Sequence, residues 1–289
     1  MKAALPSPQA GLYEFNRGRL RNPSREAGPS LDFEGAWILD RLGGMPCPSV
    51  EPGLQGLLAG LNKLILEEAE QASESSDYVA QRMTRDEFKI LVQEFSVDGL
   101  TEAQVFYYIL PRLSLEAQMP MLRIMIDEFG SGNLQCAHTT LYVNLLNELG
   151  MPLDLAYYCS RIESTSFEFV NLFFWLTLRA DDPSYFAGAI TYLESVIPSF
   201  FACYVQACER LNIASHAYYS EHRHIDVFHA VEGRRLLRAM AADQTLDANK
   251  AWKGIHLAAQ ITGGAFEAAV VKARQSSQLG ILSRDEVLR

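Results

Sequence analysis

Paired cysteines are missing from this chain. Cys47, Cys136, Cys159, Cys203 and Cys208 are odd in number and lack the short repeated spacings of a thiolate metal site or a disulfide framework, so reduced thiols are expected. A basic surplus is missing too. The net charge of −10 and pI near 5.1 exclude the counterion-driven grip on phosphate backbones that nucleic-acid binding needs. No apolar run reaches the ~18 to 20 residues of a membrane span, and the greasiest piece, 167–178, contains Glu168 and Asn171. It reads as a buried helix, and no membrane partner is expected. The opening Met1-Lys2-Ala3-Ala4-Leu5-Pro6 has no apolar export core, which makes the cytoplasm the expected location. Strand-like alternation is scarce, and no internal repeat of 20 to 50 residues is visible.

What the chain has is apolar residues at helical spacing. With 48% hydrophobic residues in 289, the content is ample for a core, and the fold class expected is all-α. Residues 1–30, with Pro6, Pro8, Pro23 and Pro29 and no periodicity, read as a flexible tail before a helical domain at 31–289. Helices are expected at 31–42 and 54–72. Thr84 with Glu87 forms a capping box opening a helix toward Phe95, and Thr101 with Gln104 repeats the signal. Ser114 or Pro120 starts the next helix. Gly130-Ser131-Gly132 interrupts it before a helix at 134–149, and further helices are expected at 166–178, 184–211, 215–241 and 248–275.

Three histidines and four carboxylates can be read as one buried metal site. Its densest part is Glu221-His222-Arg223-His224-Ile225-Asp226-Val227-Phe228-His229. A helix advances about 100° per residue, so His222, Asp226 and His229 fall within about 60° of one another. The two histidines are offset by roughly 10 Å along the axis, which suits a pair of ions better than one. Glu128 and His138 are ten residues apart, so an unbroken helix would separate them by roughly 15 Å. The glycines between them permit a break that brings both to one place. Glu102 lies among Phe106, Tyr107 and Tyr108, and Glu194 among Tyr192, Leu193, Val196 and Ile197. A carboxylate buried without a partner costs several kcal/mol, and a cation removes that cost. Carboxylates with a few imidazoles suit iron or manganese, whereas structural zinc would call for thiolates. Asp127 is an alternative to Glu128 pointing about 100° away, and His216, His224 and His256 are read as non-ligands.

These residues, in this order, resemble the haem-oxygenase-like di-iron oxidases and oxygenases of bacterial specialised metabolism. The resemblance spans roughly 85–240. It rests on Glu102 before Ile109-Leu110-Pro111-Arg112-Leu113, on Asp127-Glu128-Phe129-Gly130-Ser131-Gly132 leading to His138, on Leu149-Gly150-Met151, on Asn171, on Glu194, and on Tyr218-Tyr219-Ser220-Glu221-His222 through Asp226 to His229. The resemblance implies a haem-oxygenase-like bundle of about seven or more helices holding two Fe2+ ions, with O2 as co-substrate. The implied ligands are Glu102, Glu128, His138, Glu194, His222, Asp226 and His229; relatives differ in whether a carboxylate at the Glu194 position binds metal. Phe129 stands where many relatives have tyrosine. A true haem oxygenase would need an early axial histidine, and the first here is His138.

The implied function is oxidation of an amine or amino-acid-derived small molecule, by N-oxygenation or oxidative C–C cleavage, in a biosynthetic pathway, with an external electron donor possible. Arg112 or Arg179 would anchor the substrate carboxylate. Two other classes stand beside this one. A helical metal-storage protein is opposed by the lack of repeated Glu-x-x-His pairs, and a cofactor-free enzyme of the same fold would need a nucleophilic cysteine, for which Cys136 is nearest in sequence. Long apolar helices also suit a homodimer.

Overall fold

The computed structural model describes residues 7–24, 28–45, 53–71 and 73–287, with side chains described to residue 276. The described residues form helices and turns only. Four helices come first: α1 (Pro8–Arg21), α2 (Pro29–Gly43), α3 (Leu54–Glu70) and α4 (Glu74–Gln81). They are followed by α5 (Arg85–Glu94), α6 (Ser96–Gly99), α7 (Leu115–Glu128), α8 (His138–Glu148) and α9 (Leu155–Cys159). The chain ends with α10 (Ser164–Leu178), α11 (Ser184–Phe200), α12 (Ala202–Arg210), α13 (Ala217–Ala242) and α14 (Ala248–Val287).

The tail expectation needs correction. Ser7 caps α1 by accepting from Ala10 N at 3.2 Å, and Pro8 suits the first turn, where its missing N–H is no loss. Leu12 and Tyr13 are buried, and Asn16 donates to Asn171 Oδ1 at 3.1 Å while Asn171 Nδ2 donates to the Gln9 carbonyl at 2.9 Å. The apolar face of α1 is only two turns long, and prolines and arginines on either side masked it. Residues 1–6 and 25–27 of that stretch, with Cys47 and Ala72, lie outside the described residues.

Thr84 and Glu87 do form the capping box that opens α5. Thr101 and Gln104 do not. Thr101 Oγ1 donates to the Val97 carbonyl at 2.6 Å, Ala103 takes φ 59°, and two short 3-10 turns, Phe106–Tyr108 and Leu110–Arg112, replace the expected helix. Glu102 therefore sits on an irregular turn. Ser114 opens α7, and Pro120 lies inside it. The expected 184–211 helix is two, α11 and α12, meeting at Phe201.

Residues 184–210 together, and not 167–178, have the length and hydropathy of a membrane span. The run from Ser184 to Glu194 is buried in the bundle, which accounts for its apolar character. It is the central element, with α13 on one side and α14 on another. A Cβ on Gly188 would fall 1.9 Å from the Ala251 carbonyl oxygen, and one on Gly254 1.9 Å from that of Tyr185, so α11 and α14 touch backbone to backbone. On its other flank α13 meets α7 and α8.

Candidate metal centre

That packing sets α13 against the ends of two neighbours. His222, Asp226 and His229 are all buried on its inner face, as helical periodicity requires. Facing them are Glu128, the last residue of α7, and His138, the first of α8. The break between them is the glycine turn, with Gly130 at φ 60°, Ser131 at φ 53° and Gly132 at φ 81°. A Cβ at Gly130 would lie 2.5 Å from Ala137 N, so only glycine fits both the space and the dihedral.

The potential ligand atoms fall into two sets, each mutually within 4.8 Å: Glu102, Glu128, His138 and His222, and then Glu128, Asp226 and His229. Glu128 belongs to both. Its Oε2 is 2.9 Å from His138 Nδ1, and its Oε1 is 3.8 Å from His229 Nδ1. Glu194, on α11, stands beside the second set, with Oε2 3.2 Å from His229 Nδ1. The seven residues singled out in the sequence thus converge, with Glu194 outside the two mutually close sets.

His222 Nδ1 is 2.7 Å from the Tyr218 carbonyl, which can only accept; Nδ1 therefore carries a proton, and Nε2, 3.1 Å from Glu102 Oε1, is the nitrogen left to face a metal. Tyr218 Oη donates to that same Glu102 oxygen at 3.0 Å. His229 is reversed. Its Nδ1 faces Asp226 Oδ1 at 3.2 Å, and its Nε2 reaches the outer carboxylate Asp127 Oδ2 at 3.4 Å. Asp127 is therefore a partner behind His229, not a replacement for Glu128.

Several buried polar atoms have no hydrogen bond: both carboxylate oxygens of Asp226, Oε2 of Glu102 and Nδ1 of His138. Asp226 and His138 do lie near opposite partners, yet the ring N–H directions miss the carboxylate oxygens. A fully buried carboxylate without donors costs several kcal/mol, and close but misaligned donors are what a shared third centre produces. Oxygen and imidazole donors without thiolate fit iron.

Electrostatics agree. Burial raises Glu194 to about 7, with Asp226 adding to the effect, and burial likewise raises Asp226. Burial opposes the charged form of His229, but Asp226, Glu194 and Glu128 outweigh it and hold the imidazole up at about 11. Burial would raise Glu128 as well; His138, His222 and His229 outweigh it and bring the carboxyl down to about 2. Without a cation, protons on histidine serve as the counter-charge.

A cavity, part of it open to solvent, reaches this cluster. Its wall is mostly apolar and rich in aromatic rings, including Phe95, Phe106, Phe173 and Phe201, and carries Glu102, Glu128, Glu194, His222 and Asp226. It also carries Asp98, which sequence reading missed although it stands one helical turn before Glu102; burial and then Glu102 push its carboxyl well up. Both arginines expected to anchor a substrate are engaged elsewhere. Arg112 donates to the carbonyls of Leu176, Thr177 and Ala180 at the end of α10. Arg179 is paired with Glu34 and donates to Asn16 Oδ1. Carbonyls at a helix C-terminus and a buried carboxylate both attract a guanidinium, which neither partner announces in sequence. Cys136 is exposed, and its sulfur meets the Asn133 amide, which is no base.

Residues 89–263 match the family described as iron-containing redox enzyme, which is 175 of the 289 residues. The chain belongs to this family. As an iron-containing redox enzyme it is an oxidoreductase with an all-α fold. It is also 27% identical over 145 residues to a nitrosourea synthase of Streptomyces achromogenes subsp. streptozoticus, a match covering 47% of this chain. The match spans only 29% of the length of that relative.

Proposed function

We propose that this iron-containing redox enzyme is a non-haem di-iron oxygenase that oxidises the nitrogen of an amine or amino-acid-derived small molecule, or cleaves an adjacent C–C bond, as part of a biosynthetic route. The observation that carries the reading is the doubled donor cluster sharing Glu128, with the buried Asp226 carboxylate left without a hydrogen bond. One ion would be held by Glu102, Glu128, His138 and His222. The other would be held by Glu128, Asp226 and His229, with Glu194 within reach. Two irons, when bound, supply the electrons and the open coordination positions that activate O2. An external reductant would restore the ferrous state between turnovers.

The chain's own residues do the rest. The Tyr218 carbonyl fixes the tautomer of His222 and so presents Nε2 inward. Tyr218 Oη holds a proton against Glu102 Oε1, keeping that oxygen's orientation fixed. The phenylalanine wall keeps bulk water away from the reacting atoms, which strengthens every charge interaction inside. Nitrogen ranks first as the atom oxidised because the Streptomyces relative is by name a nitrosourea synthase.

The test is to load the protein anaerobically with ferrous iron, count iron per chain, and follow O2 consumption with a panel of amino acids and amines. Two irons per chain are expected; His222→Ala and Asp226→Ala should each lower the iron content, and neither should retain O2 uptake. Uptake of many irons per chain would indicate storage instead, and unchanged iron content in both variants would overturn the assignment.

A further inference from the structure

The cavity beside the donor cluster has one feature that the metal chemistry does not use. Among the described residues on its wall, Arg17 is the single arginine or lysine, and it comes from α1, the stretch expected to be a tail. Its guanidinium is half-buried and has one protein hydrogen bond, from Nη1 to Gln104 Oε1 at 2.8 Å. Gln104 is neutral. The Nε atom is buried without a partner, and no carboxylate of a described residue lies within 4.0 Å of the group.

Other arginines of the bundle are arranged differently. Arg41 is paired with Glu168, Arg179 with Glu34, and Arg112 and Arg210 are satisfied by backbone carbonyls. Arg17 differs in having no carboxylate or carbonyl partner among the described residues, with Gln104 as its one acceptor. A guanidinium offers paired N–H groups that match the two oxygens of a carboxylate. An uncompensated, partly desolvated cation is costly, and an anionic ligand removes the cost.

Arg17 also lines a second, outer groove between α1 and residues 154–164, together with Tyr13, Glu14 and Cys159. It therefore stands where the surface groove meets the inner cavity. We propose that Arg17 anchors the carboxylate of the molecule that enters the cavity, and that the substrate class is a carboxylic acid with an apolar or aromatic body. Such a molecule is held at Arg17 by its anion and lies along Phe95, Phe106 and Phe173, with its other end offered to the donor cluster. The assignment deepens the di-iron reading and rests on it for the chemistry, though not for the binding itself.

The test is calorimetric titration of zinc-loaded protein, redox-inert and with its acidic cluster neutralised, using 4-phenylbutyrate and its uncharged counterpart 4-phenylbutanol. The wild type should bind the acid more tightly than the alcohol. Arg17→Gln should lower acid affinity about tenfold, leave the alcohol unchanged and keep the same zinc content; a tenfold change corresponds to about 1.4 kcal/mol. Arg17→Lys keeps the charge but loses the fork, and several-fold weaker acid binding is expected. That variant decides the matter if Arg17→Gln does not fold. Acid affinity unaffected by either substitution, as when the acid sits on zinc, would overturn the proposal, and so would a wild type that binds neither compound or both equally. Zinc failing to bind would count against the metal centre alone, because the acid-to-alcohol ratio in wild type and variant still reads Arg17.

Discussion

The two halves of the donor cluster are built by different means. The half formed by Glu102, His138 and His222 has two imidazoles wrapped in rings: His138 and His222 are 4.1 Å apart at their centroids, and Tyr218 is 4.6 Å and Phe201 5.3 Å from His222. Packing and a backbone carbonyl hold it. The half formed by Asp226 and His229 has one imidazole among carboxylates and is backed by Asp127, whose side chain is 34% exposed. Charge, rather than shape, holds that one. A site held by packing is ordered before it is filled, whereas one held by like charges gains its order on filling. The first half should therefore bind the tighter ion.

The largest break in that comparison comes from Asp226→Ala. It should remove the second ion entirely and leave the first, which iron analysis would show as one per chain. In the metal-free protein the same change removes a carboxylate that holds the proton on His229, so the imidazole should titrate lower than in the wild type, which NMR would read. Next in size is Asp127→Asn. Loss of the outer partner of His229 should weaken the second ion about 10- to 100-fold and the first not at all, in a competition titration against a chelator. Tyr218→Phe is the counterpart on the other side, removing one hydrogen bond to Glu102. A net cost of about 1 kcal/mol, or a few-fold in affinity for the first ion only, is expected.

The smallest effect is on pH dependence. His229 is raised to about 11, so in metal-free protein its protonated form stabilises the fold fully below about 6.5, and this contribution is lost as pH rises through 11. Metal needs the neutral ring. Loading near pH 7 should release protons, on the order of two to three if His138 and His222 follow, and affinity should increase with pH. Calorimetry in buffers of different ionisation enthalpy measures this directly, and absence of proton release would mean that the histidines are not ligands.

Much of the cluster was legible because helical periodicity and glycine are local signals. His222, Asp226 and His229 share a face by arithmetic, and Gly130 and Gly132 marked the turn that joins Glu128 to His138. The capping box at Thr84 was equally local. What failed was long-range or context-bound. The same Thr-x-x-Gln pattern at 101–104 lost to a hydrogen bond back to Val97, and α1 was hidden because its binding partners, Asn171 and the α10 surface, lie some 150 residues away. Arg112 and Arg179 looked available only because the carbonyls and the carboxylate that engage them are remote in sequence. Arg17 escaped notice for the same reason as its helix.

The direct backbone contact between α11 and α14 makes those two helices behave as one anvil. Glu194 is fixed to it and has little room to travel. Adjustment as ions arrive or depart is then left to the opposite face, where the side chains of Asp226 and His229 meet the partly exposed Asp127. Those side chains, and not the paired helices, are where the enzyme's give resides.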